Sequence, residues 1–181
     1  MKTQFANPFI QRISPGDGFY FFGYYDIPAF DDTGHYHLAH KVSFMDRLHQ
    51  KGDEAQIGII DIGTCKFECL DVTEAWNFQQ GSMLQWNPKA PGREIIYNKV
   101  VDDQYVGVVM DIHTGKKRYL DDPVANVSTI GDYALGINMN RLYDFRPGYG
   151  YAHMQDRFKE ENHSDDDGVF LICMKTGKSK L

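Results

Sequence analysis

Three stretches of this sequence end alike: IGIIDIGTCKFECL at 57–70, VGVVMDIHTGKKRYL at 106–120 and GVFLICMKTGKSKL at 168–181. Each reads as an apolar strand, a tight turn and a more polar strand closing on Leu. The turns carry Gly63-Thr64, Thr114-Gly115 and Thr176-Gly177, and glycine supplies the positive φ that such turns use. A second hairpin precedes each one: IPAFDDTGHYHLAHKV at 27–42, MLQWNPKAPGREIIYNKV at 83–100 and VANVSTIGDYALGINM at 124–139. The unit is therefore four strands, a-b-c-d, and it occurs three times. Four-stranded antiparallel units repeating every roughly 40–60 residues are the pattern of β-propeller blades. A β-sandwich explains alternating strands but not the recurring order of turns. The expected fold is all-β, a single partial propeller domain over 1–181, with blade 1 at about 24–71, blade 2 at about 82–121 and blade 3 at about 123–181. Propellers typically close with about four to eight blades, so three blades imply part of a larger ring, expected to have about six to eight blades with seven favoured, completed by further C-terminal blades or by a second copy of the chain. Helical periodicity is confined to MQDRFKEENH at 154–163, which is short and polar.

Composition narrows the partners. The chain is 42% hydrophobic and 14% aromatic, enough for a packed core, and its formal charge is -6, which argues against a nucleic-acid partner. No apolar run reaches the ~18–20 residues that cross a bilayer, so no membrane is expected. The opening MKTQFANPFIQRISPGDG lacks the continuous apolar stretch of a signal peptide. Three cysteines, Cys65, Cys69 and Cys173, form no CxxC, and reduced thiols in a cytoplasmic protein are expected.

Loop lengths point to one face. In a blade the a-b and c-d turns share one side and the b-c and d-a connections share the other. The first set is short throughout; the second includes about 42–55, 71–82 and 140–167. Binding residues concentrate on such loops. The connection at 75–86, AWNFQQGSMLQW, gathers Trp76, Asn77, Gln79 and Gln80, amides that are costly to bury without partners. The b strands end LAHKV, IYNKV and LGINMNR, placing His40, Asn98 and Asn138 at equivalent sites to within one residue. Tyr24, Tyr25 and Asp26 are expected on the same face. Arg47 in the first b-c loop, and Arg141, Arg146 and Tyr149 in the third, offer forked cations and stacking surfaces. These residues predict a polar, aromatic rim that binds an oligosaccharide or another small polar ligand, with His40 as a candidate base. The competing reading is a network that ties blades together. His35 and His37 read as exposed histidines, and ENHSDDDG at 161–168 as a solvated acidic loop, since it lacks the EF-hand spacing.

FFGYYDIPAFDDTG, AHKVSFMDR, AWNFQQGSMLQW, IIYN and DFRPGYGYA together resemble the first half of WD40-like, TolB-like propeller proteins. These are more distantly similar to oligogalacturonate lyases, which are seven-bladed. That resemblance implies β-elimination on uronate oligosaccharides and a divalent metal, commonly manganese, held by His and Gln of later blades. It transfers no catalytic or metal-binding residue to this chain, which is expected to hold no cofactor itself and to be inactive alone. The alternative is a non-catalytic propeller serving as a ligand- or protein-binding platform.

Overall fold

The computed structural model describes residues 10–181. The reading of the first eighteen residues as no signal peptide lies partly outside the described residues. Twelve strands form three four-stranded antiparallel sheets in simple meander order. Blade 1 is β1 (Phe19–Phe21), β2 (Tyr36–Val42), β3 (Ala55–Asp61) and β4 (Lys66–Thr73). Blade 2 is β5 (Gln85–Trp86), β6 (Glu94–Val101), β7 (Gln104–Asp111) and β8 (Lys117–Tyr119). Blade 3 is β9 (Val124–Val127), β10 (Tyr133–Ile137), β11 (Val169–Cys173) and β12 (Ser179–Lys180). The only helix among the described residues is α1 (Met139–Phe145). No described helix is long and apolar enough to cross a membrane.

The three blades share a register. At the c-d turns Cys65, Gly115 and Gly177 donate their backbone N–H to Asp61, Asp111 and Cys173 at 2.8, 2.9 and 2.8 Å. All three donors are left-handed, with φ of 54°, 69° and 76°. The first turn thus uses Cys65, not Gly63, at the position glycine fills elsewhere. Asp61, Asp111 and Cys173 pair across the sheet with Tyr36, Glu94 and Tyr133. Four residues further along each b strand stand His40, Asn98 and Ile137. Asn138 is one residue beyond this shared position, and its side chain instead caps α1 by accepting from Asn140 N and Arg141 N.

Two expectations about elements are corrected. Strand pairing in blade 1 begins at Phe19, ahead of residue 24, because the innermost strand is interrupted: after Phe21 the chain leaves the sheet and rejoins β2 only at the Phe30–His37 bridge. Residues 22–28 therefore project from the inner edge. The helix falls on MNRLYDF, while 154–163 is irregular. A helix of seven residues, about two turns long and started by an Asn cap, is too short to show a repeat of its apolar positions.

The core lies in the seams between blades. Leu38, Ile57 and Ile59 of blade 1 pack on Leu84, Trp86, Ile95, Tyr97, Val108 and Met110 of blade 2. Ile96 and Val109 of blade 2 pack on Val124, Val127, Ala134 and Ile172 of blade 3. Each sheet thus covers one apolar face of the next, as stacked repeats must.

Candidate functional site

Several expected rim residues turn out to hold the blades together. His40 is fully buried, stacks on Phe21 at 4.9 Å and accepts the backbone N–H of Ser82 at its Nε2, 3.0 Å away. Burial pushes its imidazole down to about 4. A neutral ring with no solvent access is not placed to act as a base on a ligand. The amide of Asn98 does the corresponding work in the next seam: its Oδ1 accepts from Val124 N at 2.7 Å, and its Nδ2 donates to Val124 O and the Tyr151 hydroxyl, both at 2.8 Å. Trp76 is fully buried among Phe21, Phe44, His49 and Phe78 and donates its indole N–H to Asp53 O. Asn77 is fully buried too; its Oδ1 accepts from Gln79 N and Gln80 N, and its Nδ2 donates to Tyr149 O at 2.8 Å. Most of the amide-rich stretch is therefore a structural network.

Two of the three arginines are also committed. Arg47 clasps Asp53 with both terminal guanidinium nitrogens and stacks on Phe44, closing the 43–54 loop on itself. Arg141 binds Asp156 and the carbonyls of Phe158, Glu161 and Asn162. With Asn138, which donates to Asp156 and Asp167, it pins the long third b-c loop. Of the two histidines expected to be exposed, His35 is exposed beside Asp61, whereas His37 is half-buried between Phe22 and Phe30.

What remains accessible comes together from three segments. The 22–26 excursion presents Tyr24 and Tyr25 as a stacked pair, centroids 4.5 Å apart, with Tyr25 81% exposed. Gly23 brings this excursion against the 77–81 turn, since a Cβ there would stand 2.9 Å from Gln80 O. Gln79 is exposed and Gln80 half-buried on that turn. The third segment begins at Arg146, the C-cap of α1. Pro147-Gly148 folds the chain back, Tyr149 N donates to Arg146 O, and the guanidinium lies 3.8 Å from the Tyr149 ring centroid. Gly150 then packs directly on α1, where a Cβ would meet Tyr143 N at 2.1 Å, and Tyr151 is fully buried. Those two residues fix the segment and leave Arg146 and Tyr149 on the surface. Arg146 has no carboxylate within ion-pair distance among the described residues. Asp26 is exposed but lines a separate cavity.

One residue that sequence reasoning missed is Asp71. It accepts from Tyr97, from Lys99 at 2.7 Å and from Lys117 at 2.8 Å, joining blade 1 to blade 2. Burial would raise its carboxyl, but these donors outweigh burial and hold it at about 2. Only the packing of blade 1 on blade 2, which sets β4 beside β6 and β8, brings the four residues together. No group of three or more His, Cys, Asp or Glu among the described residues is placed to hold a metal.

No family model matches the chain, and no curated protein matches it. Its fold is similar to the crystal structure of TolB from Acinetobacter baumannii, with a TM-score of 0.51 and 11% sequence identity. The likeness covers 93% of this chain and 33% of that one, so the chain spans about a third of the length of the structure it matches. At that identity the likeness shows the fold, a TolB-like β-propeller architecture represented by three blades.

Proposed function

We propose that the three blades form a binding platform for a small polar ligand carrying a carboxylate, of which a uronate oligosaccharide is the leading class. One observation carries the reading: Arg146, stacked on Tyr149 and without a carboxylate of its own, stands on the same face as the exposed Tyr24–Tyr25 pair. Guanidinium supplies a fork for a carboxylate, the tyrosines supply flat faces for sugar rings, and Gln79 and Gln80 supply amides for hydroxyls. Turnover by β-elimination would need a base near the proton α to the carboxylate, and His40 is sealed in a seam. We therefore favour binding without chemistry over the lyase reading.

Calorimetric titration with trigalacturonate tests this. Arg146→Ala and Tyr25→Ala are each expected to weaken binding about tenfold, the loss typical of one charge-assisted or stacking contact. Neutral galactose oligomers are expected to bind poorly. Unchanged affinity in both variants removes this face as the site. Ultraviolet-absorbing unsaturated products that vanish on chelation would restore the lyase reading.

A further inference from the structure

The opposite face, where the a-b turns meet, holds a cavity of about 530 Å³. Its apolar wall includes Phe30, Trp86 and Pro88, and its polar groups include Asp26, Asp32 and Gln85. The aromatic wall is held in place: Trp86 donates its indole N–H to Ala29 O, and Phe30 packs edge-on against His37 at 4.8 Å. The left-handed Gly92 (φ 73°) lets the blade 2 turn run close to Asp32, where a Cβ would lie 3.3 Å from its Oδ1. Among the described residues no lysine or arginine lines the cavity. Lys89 and Arg93, which lie close in sequence to the lining residues Pro88 and Pro91, are paired with Asp132 and Asp111. Asp26 and Asp32 are exposed and have no ion-pair partner among the described residues. Gln85 is 8% exposed; its Nε2 donates to Met83 O, and its carboxamide oxygen accepts no hydrogen bond among the described residues.

Two uncompensated carboxylates and an acceptor oxygen beside fixed aromatic faces make a negative, partly dry site. We propose that this cavity binds a small organic cation with an apolar body. The ammonium stands beside Asp26 and Asp32, and the body lies on Phe30 and Trp86. The volume suits a small molecule. The site is independent of Arg146, whose ligand has the opposite charge.

Titration of the full chain with benzyltrimethylammonium, read by tryptophan fluorescence, tests the proposal. Trp86 reports on the cavity, and Trp76, the only other tryptophan, is fully buried in the seam behind the long loops. Saturable binding is expected, with benzyl alcohol and benzoate each at least about tenfold weaker. Asp32→Asn is expected to weaken the cation about tenfold, Phe30→Ala to weaken it by a similar factor, and Arg146→Ala to leave it unchanged. Melting curves of the variants separate lost binding from lost fold. Equal affinity for cation and alcohol, an unaffected folded Asp32→Asn, or no saturation by about 10 mM would each overturn the proposal.

Discussion

His40 and Asn98 perform one task with different chemistry. Each presents an acceptor to the backbone N–H that opens the next blade, and only the histidine can be titrated out of the task. Unfolded His40 binds its proton near pH 6.5, whereas in the fold burial holds the ring at about 4. As pH falls below about 6.5, the unfolded chain takes up the proton first and stability drops, by roughly 3 kcal/mol once pH is below about 4. His40→Asn, which keeps an acceptor for Ser82, is expected to flatten that part of the pH dependence. Urea unfolding from neutral to mildly acidic pH reads the slope, and an unchanged slope would assign it elsewhere. Cys65 offers a second residue-scale test. It holds a left-handed φ of 54° where the other two turns place glycine. Cys65→Gly is expected to raise stability by up to about 1 kcal/mol, seen as a higher denaturation midpoint.

At the scale of elements, the seams decide which strands and loops stay put. Asp71 on β4 gathers donors from β6 and β8, with side-chain exposure of only 12%. Asp71→Ala leaves two ammonium groups without their partner and is expected to cost about 2–4 kcal/mol by urea unfolding. A loss below about 1 kcal/mol would mean that the lysines find water without strain. The Arg47–Asp53 clasp is more exposed, so Arg47→Ala is expected to change global stability by less than about 1 kcal/mol. Its effect is local: the 43–54 loop loses its tie and becomes a site of faster limited proteolysis. Equal cleavage rates in variant and parent would show that Trp76 packing alone holds the loop.

For the whole molecule, the repeated register makes a comparison between faces. Leu38, Ile96 and Leu135 occupy equivalent b-strand positions, two residues past the strand start shared by the register. The first two are fully buried against the following blade, whereas Leu135 is 44% exposed. Ile96→Ala is accordingly expected to cost about 2–5 kcal/mol, and Leu135→Ala in this chain under about 1 kcal/mol. Comparable losses in thermal or urea unfolding would mean that the outer face of blade 3 is covered in solution.

The blade count, the turn positions and the side carrying the long loops were legible in the sequence, because period-2 patterning and left-handed turns are local properties. The same locality explains why Tyr25, Gln79, Arg146 and Tyr149 could be assigned to one face by topology alone. The fate of His40, Trp76, Asn77 and Asn98 was not legible. An amide or imidazole at a strand end reads the same whether it meets solvent or a neighbouring backbone. Which it meets depends on how closely the next blade packs, a distance set by side chains about 25 to 75 residues away. Chain-local chemistry determined the repeat and its turns. Only the packing of one sheet on the next decided which polar groups became mortar and which, like Arg146, were left without a carboxylate partner among the described residues.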